Sequence, residues 1–456
     1  MSSRTRTSTK GCLVKCIGWM ILFLFCLPTP ALAASAVTRR SPANPWQNLR
    51  WGLVHLALDG SFRMRAEDQQ NFTIKQYGTS EGKIFLLTRF RMGFDFNWFE
   101  FLRTYVQFQD ARIFGSPSSD SDFPDSNPYH DVMDIRQAYV DCQPLKGLEL
   151  QVGRQPISFA DRRIFGPGDW GNTGRYVWDA VRMRLHNSCL DSHTFAGRYI
   201  IRDPDQWPNQ AADGPTAWAN YTMIRNLPVG LDVFYVLKQD QDGEVLGESG
   251  AETLFSHSFG LRADGSWNAW RLAVTAAGQL GQWGSDEIRA YGLAASLGYT
   301  SALPWRPQVT LQFVNGSGDA NPNDAVIGTF DGVFGGTDTV LYGWMNLFCW
   351  SNIREYRLDL VLSPGQGIKL RGEVHYFTLD EKADAWYYPG KAQRRDKTGA
   401  SGRELGHEVD LTFSYSFWGK LELRGGWCFF LPGEFIRNTG PAPVAHWGFL
   451  QGQVSF

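Results

Sequence analysis

Pairs of basic residues separated by a single residue recur along this chain. Arg63 and Arg65 stand in FRMRAED, Arg89 and Arg91 in TRFRMGF, Arg182 and Arg184 in VRMRLH, and Lys369 and Arg371 in IKLRGE. Arg103, Arg357, Lys420 and Arg424 lie in stretches of the same kind, which makes 12 basic side chains. In an extended strand residues i and i+2 share a face, so each pair sets two cations side by side. Guanidinium groups take carboxylates bidentately, and rings of basic side chains favour the passage of anions. The same parity also carries Glu67, Asp95, Glu149, Glu355, Asp359, Glu373, Asp410 and Glu422. These charges could therefore form internal cross-strand ladders as well as an anion-selective wall with its excess on the first three strands and the sixth.

Such residues need strands to position them. Period-two alternation is clearest in RFRMGFDFN (89–97), VWDAVRMRLH (177–186), REYRLDLVL (354–362), GIKLRGEVHYF (367–377) and EVDLTFSYS (408–416). The pattern predicts 18 strands: 59–68, 84–97, 101–114, 132–142, 147–156, 177–187, 192–202, 216–225, 229–239, 254–265, 268–282, 287–300, 306–315, 351–362, 367–379, 406–416, 420–430 and 446–456. Each is long enough to cross lipid at a tilt, which takes about 9–11 residues. Joints such as WFE, QPLK, NLP, SW and FWG alternate with long connections at 69–83, 115–131, 157–176, 203–215, 240–253, 316–350, 380–405 and 431–445; only 283–286 breaks the rule. Short turns on one side and long loops on the other are expected of an outer-membrane barrel, whereas Greek-key crossovers fall at both ends of a sandwich. Aromatic residues, 14% of the chain, gather near strand ends as interfacial girdles require. The expected fold is a single all-β transmembrane antiparallel barrel of about 18 strands, with periplasmic turns and extracellular loops, over 59–456.

The termini agree. Arg4, Arg6, Lys10 and Lys15 precede the apolar run IGWMILFLFCL and the small-residue site Ala31-Leu32-Ala33, which reads as a Sec-type signal peptide over 1–33 followed by a lead-in over 34–58. Removing it takes four basic residues and no acidic ones, leaving 40 against 46 and a net charge of about −6. That balance argues against nucleic acid as a partner. At the other end HWGFLQGQVSF alternates down to Phe456, as the closing strand of a barrel would.

Other motifs carry less. GPGDWGNTGR (166–175) lacks the Lys-Ser/Thr of a phosphate cradle and reads as a turn-rich loop folded toward the pore. GSGDANPND begins like a calcium loop, but position six holds no glycine and Phe330 stands where the twelfth-position glutamate belongs. SSDSDFPDSN (118–127) reads as a solvated loop. Cys142, Cys189, Cys349 and Cys428 are widely spaced and show neither a disulfide framework nor zinc spacing. There is no GxSxG or HExxH, and nothing ties His375 or His446 to a serine, so no catalytic residue, metal or cofactor is expected.

LDGSFRMRAED (58–68), VGRQPISFADRRIFGPGDWGNTGR (152–175), VNGSGDANPNDAVIGTFDGVF (314–334) and residues 384–436 resemble the alginate export family of outer-membrane barrels. The resemblance implies an 18-stranded monomeric barrel that passes an anionic polysaccharide, alginate in the founding members, across the outer membrane. A terminal Phe on an alternating strand also resembles the signal that outer-membrane assembly machinery reads. The expected function is passive passage of an anionic polysaccharide or oligosaccharide through an arginine-rich lumen. Uptake of small anions or sugars is the alternative, and a barrel-borne enzyme or adhesin a weaker one. The expected partners are outer-membrane lipid, lipopolysaccharide, the assembly machinery and the anionic substrate.

Overall fold

The computed structural model describes residues 49–456, apart from 53, 116–117, 124–125, 167, 175, 242–245, 248–249, 322, 336–340 and 389–390. The expected signal peptide (1–33) and most of the lead-in (34–58) lie outside the described residues.

Eighteen long strands form one closed sheet. We number them β1 (Val54–Phe72), β2 (Tyr77–Phe99), β3 (Leu102–Phe114), β4 (Asp131–Leu145), β5 (Leu148–Pro156), β6 (Val177–His186), β7 (Leu190–Ile200), β8 (Ala211–Ile224), β9 (Gly230–Asp240), β10 (Leu254–Trp267), β11 (Trp270–Trp283), β12 (Asp286–Thr300), β13 (Gln308–Gly316), β14 (Ile353–Gly365), β15 (Ile368–Thr378), β16 (Glu404–Phe417), β17 (Leu421–Pro432) and β18 (Ala445–Ser455). Each pairs antiparallel with its chain neighbours, and β18 pairs with β1 from Ser61↔Ser455 to Gln70↔His446. Closure removes the unpaired edges that hydrocarbon would penalise. Phe456 finishes the seam: its backbone exchanges two 3.0 Å hydrogen bonds with Gly60. Its ring packs over Gly60, where a Cβ would stand.

All 18 predicted strands are present, with ends that differ by a few residues. The largest difference is at the first hairpin. The predicted loop 69–83 is mostly strand, because β1 runs on to Phe72 and β2 starts at Tyr77. The sequence hides this extension because Gln69, Gln70 and Asn71 show no apolar alternation. Tertiary contacts hold it instead: Tyr77 packs edge-on against Trp386 and Phe430, and the Tyr388 hydroxyl donates to the Thr73 carbonyl. Lys420, predicted to open a strand, sits in the turn between β16 and β17.

Side chains sort by parity. Met64 is 44% exposed while its neighbours Arg63 and Arg65 are 3% and 2% exposed. Val152, Val181, Leu280, Leu311, Leu411 and Leu450 continue the exposed apolar face around the barrel, with Trp98, Phe101, Trp267, Trp305 and Trp418 near the short turns. The core lies inside the barrel. Phe165, Phe330, Phe334, Phe348 and Trp350, all from the connections 157–176 and 317–352, are almost fully buried there.

Candidate functional site in the barrel lumen

The basic wall faces the connection 157–176. Its tip, Asp169–Thr173, has no strand partner, so its backbone carbonyls need donors from elsewhere. Arg63 on β1 donates to the carbonyls of Asp169 (3.3 Å), Trp170 (3.2 Å) and Gly171 (3.1 Å), and to Asn172 Oδ1 (3.2 Å). Arg65 donates to the Trp170 carbonyl (2.8 Å) and to Glu67 (2.7 Å), with its guanidinium 4.4 Å from the Trp170 ring centre. From β2, Arg89 reaches the carbonyls of Asp169 (3.0 Å) and Gly171 (3.2 Å). Arg91 pairs with Gln109 (2.8 Å) and stands 3.5 Å from the Asp169 carboxylate, which Arg136 on β4 also holds at 3.0 Å. Burial pushes the Asp169 carboxyl up, but Arg136, Arg91 and Arg89 together pull it down to about 2. Asn172 adds three amide bonds to the carbonyls of Thr88, Arg112 and Tyr129.

A second wall, acidic, stands on β14, β15 and β16, separated from β1 by β17 and β18, and faces the connection 317–352. Glu373 accepts from the Trp344 indole (2.7 Å), Asp410 from the Trp344 backbone N–H (3.3 Å), and Glu408 from the Met345 N–H (2.8 Å). Gly343, at φ +90°, brings the chain so close over Glu408 that a Cβ would overlap the carboxylate. His375 lies between Glu355 (2.7 Å) and Asp410 (3.2 Å), fully buried.

The two connections meet inside the barrel, against β18. Trp170 and Trp344 pack edge to face at 5.2 Å, and both lie on Phe449 of β18, at 5.1 and 5.6 Å. Nearer the strands, Phe334 N–H donates to the Ile164 carbonyl (3.1 Å), Gly166 N–H donates to the Phe334 carbonyl (3.3 Å), and the rings of Phe165 and Phe334 stack at 5.7 Å. Both connections thus form an aromatic constriction across the barrel.

Of the remaining predicted residues, Arg424 lies over the Trp170 ring (5.8 Å) and Arg357 and Arg371 meet Glu373 of the acidic wall, while the others stand apart from both loop tips. Arg103 forks onto Asp95 (2.8 and 2.9 Å). Arg184 forks onto Asp191 (2.7 and 2.9 Å) and reaches Glu149 (3.1 Å), with half-buried Arg182 in the field of Asp141 and Glu149. Arg371 forks onto Asp359 (2.9 and 2.8 Å), and Arg357 pairs with Glu373 (3.3 Å) and Gln312 (2.9 Å). Lys369 is exposed beside the turn after β14. Arg424 meets Glu422 at 2.5 Å. A lumen cleft of about 250 Å³ opens below the constriction toward the short turns, between β10 and β14. Arg163, Arg262, Arg271 and Arg357 line it with Asp161 and the polar Thr275, Ser296, Thr310 and Gln312.

A family model for alginate export matches residues 54–447. The chain belongs to the alginate export family. Among solved structures, the barrel is similar to Pseudomonas aeruginosa OccK5 (OpdH), at 11% identity and a TM-score of 0.56, over 88% of this chain and 98% of that one. Acinetobacter baumannii OccAB2 shares 8% identity at a TM-score of 0.59, with the same two coverages. Pseudomonas aeruginosa OccK2 (OpdF), solved in complex with glucuronate, shares 10% identity at 0.56, again over 88% and 98%. At such identities the likeness is one of fold. A comparison with curated proteins gave no match. Family and fold are those of an outer-membrane channel.

Sequence reasoning missed Arg136, Arg163 and Arg262, and missed Glu408 and His375 as members of the acidic wall. Extending the lumen parity along β15 from Glu373 reaches His375, and along β16 from Asp410 reaches Glu408. Arg163 had no such signal, because it lies on a connection whose inward path only the folded barrel defines.

Proposed function

We propose that this alginate export family member passes anionic saccharides, uronate-type chains or their short oligomers, by passive diffusion through its lumen. The cleft with four arginines to one aspartate carries the reading. Its guanidinium groups suit sugar carboxylates, and its threonine, serine and glutamine side chains suit sugar hydroxyls. The glucuronate bound to the similarly folded OccK2 is of the same chemical class. Arg103, Arg182, Arg184, Lys369 and Arg371 line the same short-turn half of the lumen, where they lower the barrier for a polyanion while their acidic partners keep each binding step weak. Arg63, Arg65, Arg89 and Arg91 act on the pathway through the loop they hold.

In planar bilayers, glucuronate and oligouronates should interrupt ion current at concentrations where glucose does not. Arg262→Gln with Arg271→Gln should raise the blocking concentration. Equal block by glucose and glucuronate would refute the anionic reading. The two connections packed inside the lumen favour a second reading, uptake of small uronates: block that weakens steadily with oligomer length supports uptake, and block that strengthens supports passage of a polymer.

The barrel is proposed to work as a monomer surrounded by lipid and lipopolysaccharide, inserted by machinery that reads β18. Deleting Phe456 removes the ring and both hydrogen bonds at Gly60. It should lower the amount of heat-modifiable barrel in the outer membrane while secretion continues. Normal insertion would show the aromatic to be dispensable.

A further inference from the structure

We propose that Glu373, His375 and Asp410 form a binding site for a divalent transition-metal ion, with Glu408 beside them, in the wall that holds the 317–352 connection. This is independent of what the channel carries. One ligand atom from each of the three residues lies within 4.8 Å of the others, and all three residues are buried. His375 Nε2 stands 3.2 Å from Asp410 Oδ2 and 4.0 Å from Glu373 Oε1. Four-coordinate sites with ligands at about 2.0–2.2 Å place ligand atoms roughly 3.3–3.5 Å apart, so small side-chain movements close the set. The other ring nitrogen is already engaged: His375 Nδ1 meets Glu355 at 2.7 Å, the carboxylate–histidine arrangement that orients an imidazole toward a metal.

Two observations ask for a cation there. Glu408 Oε2 and Asp410 Oδ1 are buried without a hydrogen-bond partner, as buried polar atoms rarely are, while Glu373 Oε1 meets Arg371 (3.1 Å) and Arg357 (3.3 Å) and His375 Nε2 meets Asp410 (3.2 Å) as ion pairs alone. The charges also fail to balance. Glu355, Asp359, Glu373, Glu408 and Asp410 crowd together, met by the guanidinium groups of Arg357 and Arg371. Five carboxylates face two guanidinium groups and one imidazole, so acidic groups are in excess at this point of the wall. The mixture of imidazole and carboxylate suits Zn²⁺ or a neighbouring first-row ion over Ca²⁺, which prefers all-oxygen shells. Glu373 and Asp410 also accept from Trp344, so the bound ion would stiffen the carboxylates that hold this half of the constriction.

The test uses untagged full barrel in detergent, stripped with chelator, loaded with Zn²⁺ and passed through gel filtration. One Zn²⁺ per barrel is expected for the wild type and for the distant Glu287→Gln. His375→Gln and Asp410→Asn should bind at least 100-fold more weakly, and Glu355→Gln about 10–100-fold more weakly through loss of orientation. Unchanged binding in folded His375→Gln, or no retained Zn²⁺ in the wild type, would overturn the proposal. Should the variants fail to fold, Cu²⁺ on the wild type decides. Nitrogen hyperfine structure from one imidazole, displaced by Zn²⁺, supports the site; a spectrum without nitrogen refutes it.

Discussion

On β1, β2 and β4 the wall supplies hydrogen-bond donors and the loop supplies carbonyls. On β15 and β16 the wall supplies acceptors and the loop supplies N–H groups. The groups that meet each loop tip are of one sign, although Glu67 stands among the arginines and Arg357 and Arg371 among the carboxylates, and a peptide backbone can answer either. The two clamps differ in tolerance. A guanidinium serves several carbonyls from one fork, as Arg63 does for Asp169, Trp170 and Gly171, and no shorter side chain reaches them all. A carboxylate offers only lone pairs, which an amide oxygen can replace.

Breaking the basic clamp should therefore have the largest effect. Arg63→Gln, Arg65→Gln and Arg89→Gln together remove the fork contacts to three carbonyls. Six bonds reach those carbonyls; at about 1.5–3 kcal/mol for each charge-assisted bond, losing even half of them should shift the docked-to-undocked ratio by more than ~100-fold. Single-channel conductance should rise severalfold and anion selectivity fall. An unchanged conductance would mean that the 157–176 connection does not limit the pore.

Acid probes the same clamp through Asp169. Its docked value of about 2 lies below the ordinary 3.8, so its contribution is complete above about pH 5 and is lost as pH falls through 2. Conductance should stay flat from pH 8 to 5 and rise below about pH 4. A rise between pH 8 and 6 would point to a different titrating group.

Trp170→Ala should act less. It removes the contacts to Trp344 and Phe449, worth about 0.5–1.5 kcal/mol each, and the Arg65 stacking, but leaves the carbonyl bonds in place. Conductance should increase modestly with selectivity kept. Lost selectivity would show that the aromatic contact, and not the arginine fork, positions the tip. Glu408→Gln on the acidic wall should change conductance least, since an amide oxygen still accepts from Met345 N–H. An effect as large as the arginine triple would make charge, not acceptor geometry, the basis of that clamp.

Much of this was legible in the residues. Alternation located every barrel strand, because lipid on one face and polar interior on the other impose a period of two. The same parity placed Arg63, Arg65, Arg89, Glu355, Asp359, Glu373 and Asp410 inside. Loop lengths distinguished the two ends of the barrel, and the turn-rich 166–175 stretch was expected to lean into the pore. The first hairpin escaped, since beyond the lipid neither face need be apolar and the strand is held by Trp386 and Tyr388 from a distant connection.

The sequence by itself thus determined the strands, their facing and their closure at Phe456, all of which follow from a repeating local constraint. Only the tertiary structure decided what the charges touch. Arg63 and Asp169 lie 106 residues apart and Glu373 and Trp344 29 apart; no periodicity links a wall residue to the tip of a loop. That pairing arises because the closed barrel brings eighteen strands around one cavity, where loop backbone without strand partners must take its hydrogen bonds from whichever charges face it.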